Sequence, residues 1–372
     1  MIKEKKSFYS IDKLFTAVGY IVFFLFFIGA FSEYMNPAIF RGVTFFAIGF
    51  PFLFLACLFW CVAAVLFFKR KWWLFLLLVP AYKNLFNSYP LRANSDFNLT
   101  KEVNDIRVLS WNVNEFLFSK PEEESWKIDQ KKMLDFIEET NPDILCFQDY
   151  IVSPGYAERD VTRFIKDSLG FPYFFFSMDD IDYGTIIFSK FPIQDSGRIK
   201  YNLKSHPESI AYVDVLVNSK KMRVFTTHFK SMFLHHNKLT KEILGDLKYV
   251  KEDTALLFHS NMLERLEYFD RIHAMQAALV AEQFEKTTIP FLFCADLNSV
   301  PASYVYQSLR KKTNDVFLEQ GGGIRGTYKS AKSLLRIDVI LTSKDIKSKQ
   351  FYSPQLDLSD HYPLIADIQL AN

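Results

Sequence analysis

The sequence predicts a two-part chain: apolar helices at the N-terminus, then an α/β (α+β) domain with mixed β-sheets. Three observations carry this reading. Two long runs, 14–31 and 43–68, hold no charged residue, and Phe, 40 of 372 residues, crowds the first ninety positions. From about residue 104, short apolar strands alternate with helical stretches. Polar residues recur where those strands end. Many strands with some interleaved helices imply α+β or α/β with mixed sheets.

The first run, LFTAVGYIVFFLFFIGAF (14–31), follows the basic start MIKEKK and Asp12-Lys13. The second, VTFFAIGFPFLFLACLFWCVAAVLFF (43–68), is again uncharged. Roughly twenty apolar residues cross a bilayer core, so both are expected to be transmembrane helices. A cleaved signal peptide would carry a shorter apolar run, and its removal would leave the second helix in place. The third segment, WWLFLLLVPAYKNLFNSYPL (72–91), acquires Lys83, Asn84 and Asn87 after Tyr82. It can be read as a third span, an interfacial helix, or a linker packed on the other two. The span is the expectation, with Lys83 snorkelling and Trp72, Trp73 and Tyr89 at the interfaces. Lys3, Lys5, Lys6 and Lys13, with Lys69, Arg70 and Lys71, belong on the cytoplasmic side, because the first loop has only Glu33 and Arg41. If 72–91 crosses, the rest of a multi-pass chain lies outside the cytoplasm, periplasmic in a bacterium. If it does not, the domain is cytoplasmic. The expected organisation is a membrane region (1–91), a linker (92–103) and a globular domain (104–372).

The domain's strands are read in order as IRVLSWNV, DILCFQ, GTIIFS, AYVDVLV, MRVFTTHF, PFLFCADL, RIDVILT and PLIADIQL. A helix near 126–139 stops at Asn141-Pro142, and another near 159–169 stops at Gly170. A longer helical region, 238–285, has Leu263, Leu266, Phe269 and Ile272 at helical spacing. The net charge of +2 argues against an electrostatic grip on nucleic acid as the main activity. Cys57, Cys61, Cys146 and Cys294 form no CxxC pair, so a thiolate zinc site is not expected and all four read as small buried apolar residues.

Asn112 and Asn114 close the first strand, Gln148 and Asp149 the second, His228 a middle one, and Asp296 and Asn298 another. Asp338 opens RIDVIL, and Asp360–His361 precede the last strand in SDHYPLIADI. Each fragment has a plain structural reading: turn chemistry for the Asn and Asp residues, or an ion pair for Arg336 and Asp338. Their order is informative. VLSWNV, PDILCFQD, YGTIIFSKFPI, TTHFKS, FLFCADLNSVPASYVY, GGGIRGTY with RIDVIL, and SDHYPLIADI together resemble the endonuclease/exonuclease/phosphatase superfamily, with its DNase I-like fold. Membrane-anchored bacterial members are the nearest in organisation.

The resemblance implies a four-layer sandwich of two mixed β-sheets flanked by helices, and hydrolysis of a phosphate ester, most plausibly a phosphodiester, by an activated water. It implies a Mg²⁺ or Mn²⁺ cofactor, which carboxylate and amide oxygens suit, held by Asp149, Asn112 and Asp360. Asp296 and Asn298 would hold and activate the water. His361 would be general base or phosphate contact, oriented by Asp338, and His228 would contact the phosphate or the leaving group. The metal acid is usually Glu, and here Asp149 is one methylene shorter. Ala295 replaces the usual glycine, and Asn114 stands where some members have an acid. His235, His236, His259 and His273 are expected at the surface. The partners implied are the lipid bilayer, through the N-terminal helices, and a phosphorylated substrate: nucleic acid, lipid headgroup or inositol phosphate. The alternative is a catalytically silent anchored module that binds a phosphorylated ligand in the same cleft.

Overall fold

The computed structural model describes residues 2–68, 70, 72–90, 92, 96–117, 123–152, 161–180, 182–201, 208–232, 262–329 and 334–371. Two six-stranded sheets form its centre. The first contains β1 (Ile106–Asn112), β2 (Ile144–Ile151), β3 (Tyr173–Phe176), β4 (Tyr183–Ser189), β11 (Ile346–Tyr352) and β12 (Leu364–Leu370), in the order β11-β12-β1-β2-β4-β3. The second contains β5 (Ile193–Lys200), β6 (Ser209–Val217), β7 (Lys220–His228), β8 (Phe291–Asp296), β9 (Asn314–Asp315) and β10 (Asp338–Thr342), in the order β5-β6-β7-β8-β10-β9. Both sheets are mixed: β1 runs parallel to β2 and β7 to β8, and their other pairings are antiparallel.

The central strands are apolar on both faces because both faces are covered. Val108, Cys146, Leu292, Cys294 and Ile340 point into the core between the sheets. Leu109, Leu145 and Phe147 point outward onto Met133 and Ile137 of α4 (Glu123–Thr140) and Ile165 of α5 (Val161–Asp167). Phe291 and Phe293 point outward onto Ala277, Val280 and Phe284 of α6 (Met262–Lys286) and Leu309 of α7 (Tyr304–Arg310). The result is the four-layer sandwich expected. Strands β3, β5, β9 and β11 were not anticipated: β5 and β11 carry charged, partly exposed sequences such as IQDSGRIK and IKSKQFY, and apolar periodicity does not mark such edges. All four cysteines are buried thiols.

Two helices, α1 (Ile2–Phe31) and α2 (Val43–Leu66), are long and apolar enough to cross a membrane. They form an antiparallel hairpin: the Trp60 indole donates to the Phe15 carbonyl at 3.1 Å, and Phe26 meets Phe50. A Cβ on Gly19 would fall 2.3 Å from the Trp60 ring, so this close approach needs glycine. The third segment is a 3₁₀ helix, Trp72–Ala81, continued by α3 (Tyr82–Ser88). Residues 96–99 are not a free tether. Phe97 stacks on Tyr352 at 5.0 Å, and the carbonyls of Asn98 and Leu99 accept from Arg107. Arg107 is fully buried, but bidentate bonds of 2.7 and 2.8 Å to Asp367 and a bond to the Thr140 carbonyl occupy its donors. A buried guanidinium without such partners would cost several kcal/mol.

The helices and the sandwich share one core. Val300, Ala302 and Ile337 lie in the same apolar cluster as Phe26 and Phe50, and the Ser32 hydroxyl donates to the Ala302 carbonyl at 2.7 Å. Pro90 and Arg92 both meet the glycine loop: Gly323 donates to the Pro90 carbonyl at 2.9 Å, and a Cβ on Gly322 would sit 2.0 Å from the Arg92 carbonyl oxygen.

Candidate active site

Sheet registry assembles the site. In the second sheet His228 on β7 pairs with Asp296 on β8, and Asp296 pairs with Asp338 on β10. Three neighbouring strands thus place an imidazole and two carboxylates in one row. In the first sheet Asn112 on β1 pairs with Gln148 on β2. The β2–β4 register shifts between Phe147 and Tyr150, and Asp149 in that bulge has φ 48°. The bulge turns its carboxylate toward the second sheet. Positive φ is better tolerated by Asp than by most side chains, which gives a physical reason for Asp where Glu is usual. Asn298, two residues past the end of β8, also has a positive φ, 46°.

The side chains converge across the two sheets. Asn112 Nδ2 donates to Asp149 Oδ2 and to Asp296 Oδ2, each at 3.1 Å. His228 Nδ1 is 3.1 Å from Asp149 Oδ1, and its Nε2 is 3.5 Å from Asp296 Oδ2. Asn298 Nδ2 lies 3.2 Å from His228 Nε2 and donates to the Phe229 carbonyl. His361 Nδ1 is 3.0 Å from Asp338 Oδ2, and its Nε2 is 3.6 Å from Asp296 Oδ2. The SDH loop is clamped onto β1: the Ser359 hydroxyl donates to the Asn112 carbonyl at 2.8 Å, and the Trp111 indole donates to the His361 carbonyl at 2.9 Å.

Asn112, Asp149, His228, Asp296, Asn298, Asp338 and His361 therefore stand together. Asp360 stands behind His361, half-buried, with its carboxylate toward Ser359 and no hydrogen bond to Asn112 or Asp149. Arg336 forms an ion pair, but with Asp315 at 2.7 Å rather than Asp338. His273, expected at the surface, is buried: Nε2 lies 2.6 Å from the Lys230 carbonyl and Nδ1 3.2 Å from the Ser299 hydroxyl. Spacing on α6 gave no hint that it faces β7. His235, His236 and His259 lie outside the described residues. Two neighbours escaped the sequence reading. The Tyr183 hydroxyl donates to Asp149 Oδ1, and the Tyr328 ring lies 4.9 Å from that of His361. Both occur in stretches already quoted, YGTIIFS and GGGIRGTY, but a lone tyrosine at a strand edge signals nothing.

Charge is concentrated here. Burial works against the protonated imidazole of His361, but Asp338 and then Asp296 outweigh it and push its pKa up to about 10. His228 is likewise opposed by burial and raised, to about 9, chiefly by Asp149. Burial opposes ionisation of Asp149, yet His228 and Asn112 hold its carboxyl below the usual range. Asp296 moves upward through burial and the adjacent Asp338 charge. Several buried acids balanced only by imidazoles and amides form a donor set that suits a hard divalent cation. Carboxylate and imidazole atoms of Asp296, Asp338 and His361 lie within 4.8 Å of one another, and Asp149 and Asn112 face the same space.

A sandwich of two mixed sheets with acids and imidazoles at its strand ends defines a DNase I-like hydrolytic scaffold. Solved structures share the fold. A humanized D. rerio TDP2 aligns with TM-score 0.52 and 17% identity, covering 72% of this chain and 99% of that one. D. rerio TDP2 complexed with a single-strand DNA product gives TM-score 0.52 and 16% identity, covering 71% and 99%. An endonuclease/exonuclease/phosphatase from Beutenbergia cavernae gives 0.50 and 16%, covering 72% of each chain. No curated protein matches. Residues 109–361 match the model of the endonuclease/exonuclease/phosphatase family, and the chain belongs to that family of phosphodiester hydrolases. Residues 12–89 match a model for a domain of unknown function.

Proposed function

We propose that the chain is a membrane-anchored phosphodiesterase that uses Mg²⁺ or Mn²⁺. The observation that supports it best is His361 held by Asp338 with its free nitrogen toward Asp296, while Asn112 ties Asp296 to Asp149. Asp149 and Asn112 would hold the cation, with Asp360 the more distant third candidate. Bound there, the cation would neutralise charge on the phosphoryl oxygens.

The chain's own groups divide the remaining work. Asp296, with Asn298 beside it, takes a proton from the attacking water. The oxygen adds to phosphorus as the bond to the leaving alcohol breaks. His228, protonated against Asp149, returns a proton to the departing alkoxide. His361, kept cationic by Asp338, grips a non-bridging phosphate oxygen. The full chain in detergent should hydrolyse bis-p-nitrophenyl phosphate, lose activity in EDTA and regain it with Mg²⁺. His361→Ala should cost at least about a hundredfold. Turnover that survives EDTA, or that ignores this substitution, sinks the reading.

Anchoring by three spans is part of the proposal. Arg70 pairs with Asp12 at 2.8 Å, where the apolar part of α1 begins. Lys83 pairs with Glu33 at 3.0 Å, and Asn84 donates to the Ala30 carbonyl at 2.7 Å, at its C-terminal end. Between these clamps the third segment packs against both α1 and α2, with the Cys61 thiol toward the Leu74 carbonyl. Ten residues of 3₁₀ helix and seven of α-helix rise about 30 Å, one hydrocarbon thickness. Residues after 88 then lie on the side opposite the basic N-terminus, outside the cytoplasm. A C-terminal reporter active only in the cytoplasm tests this, and its activity there would refute it.

A further inference from the structure

The catalytic end of the sandwich is also the end that packs on the N-terminal helices. β8 delivers Asp296 and then runs into Val300 and Ala302, which pack with Phe26 and Phe50. β7 delivers His228 and then Met232, which packs with Ile48 of α2. Ile337 precedes Asp338 and joins the cluster with the helices, as does Tyr328 beside His361. A substrate arriving from bulk water has to come in beside the bilayer surface, whereas a substrate already in the bilayer starts next to the site.

A shallow cleft lies at this junction, between Ala47, Ile48 and Pro51 of α2, Tyr89 after α3, and Arg325 and Leu334 of the sandwich. No acidic side chain lines it. Its walls are mostly apolar; the polar members are Ser88, Tyr89, Arg325 and Arg336, the last already paired with Asp315. Arg325, half-buried, has no hydrogen-bond or ion-pair partner among the described residues, and a guanidinium in apolar surroundings favours an anionic phosphate. Pro51 has no amide to give, so the Ala47 carbonyl lacks its helical donor. Ile324 and Leu334, beside Arg325, are 66% and 43% exposed, and Ile39 and Phe40 of the α1–α2 turn are 74% and 50% exposed. Apolar side chains around a cation at the end of membrane helices match a bilayer interface rather than an aqueous surface.

We infer that this cleft admits a glycerophospholipid of the leaflet next to the sandwich. One acyl chain lies against α2, Arg325 takes a phosphate oxygen, and the Asn298–Ala302 loop passes the headgroup ester to His361. The inference deepens the hydrolase reading above and rests on it. The reaction is hydrolysis alone: water adds to phosphorus, one P–O bond breaks, and the released alcohol takes the proton.

The test uses the full chain in nanodiscs with four substrates: phosphatidylglycerol, its deacylated counterpart glycerophosphoglycerol, bis-p-nitrophenyl phosphate and single-stranded DNA. The expected kcat/KM for phosphatidylglycerol exceeds that for glycerophosphoglycerol by at least about tenfold. Leu334→Glu and, separately, Arg325→Gln should cut that ratio severalfold. Reading a ratio keeps the test valid if either variant loses folded protein. Equal rates for the two glycerol esters, fastest cleavage of DNA, or a ratio unmoved in both variants would overturn the lipid cleft while bis-p-nitrophenyl phosphate turnover upholds the hydrolase. No turnover of bis-p-nitrophenyl phosphate would instead remove the hydrolase reading itself.

Discussion

One amide nitrogen, Asn112 Nδ2, stands 3.1 Å from a carboxylate oxygen of Asp149 and 3.1 Å from one of Asp296, and so joins the acids of the two sheets. Replacing it by Ala leaves the buried Asp296 and the half-buried Asp149 carboxylates without their shared donor. Asn112→Ala should lower kcat/KM at least about tenfold, roughly 1.4 kcal/mol of transition-state stabilisation, in steady-state assays with bis-p-nitrophenyl phosphate. An unchanged value would place the amide outside the chemistry.

Tyr183 supports Asp149 from the other side. Groups that orient a metal-binding side chain commonly influence metal affinity by about ten- to a hundredfold. Tyr183→Phe should therefore raise the Mg²⁺ concentration needed for half-maximal rate by about tenfold, with a smaller effect on the rate at saturating Mg²⁺. A Mg²⁺ titration of the two proteins decides it.

Arg336 links the N-terminal helices to the sandwich. It donates to Asp315 at 2.7 Å, the Tyr306 hydroxyl at 3.2 Å and the Asn87 carbonyl at the end of α3 at 3.1 Å. Arg336→Met leaves Asp315 buried and uncompensated, and should cost about 3–5 kcal/mol. Adding Asp315→Leu should recover much of that loss. Thermal unfolding of the single and double variants reads the difference, and equal loss in both would contradict the pairing.

Asp270 of α6 is buried, with its carboxyl toward Thr44 at the start of α2 but without a close hydrogen bond. Burial raises its pKa from 3.8 to about 7, and Thr44 offsets this only in part. Between those values the folded chain binds the extra proton, so stability falls as pH rises from about 4 to about 7 and levels off above. The full swing is at most about 4 kcal/mol. Asp270→Asn should flatten this slope and raise the melting temperature at pH 8. A steeper slope in the variant would refute the assignment.

Much of this was legible in sequence because the signals were local. VLSWNV, FLFCADLN and SDHYPL each carry their functional residue at the end of an apolar run, so strand ends could be read without knowing how the strands pair. What periodicity could not reveal was pairing across distance. Arg336 next to Asp338 suggests a pair, yet the partner is Asp315, reached by folding β9 against β10. His273 occupies a helical position like many surface histidines, and only the packing of α6 on β7 buries it. The third apolar segment was ambiguous for a related reason. Its charge-free part is too short for an α-helical crossing, and sequence gives no warning that Trp72–Ala81 winds as the longer-pitched 3₁₀ helix.

That winding sets the reach of the cord between two fixed points, Arg70 tied to Asp12 and Asn87 tied to Arg336. If those ten residues recoiled into α geometry the segment would shorten by about 5 Å, and the pull would fall on Arg336, one residue from Ile337 and two from Asp338. The pitch of one short helix thereby measures out the spacing between the apolar hairpin and the row of acids.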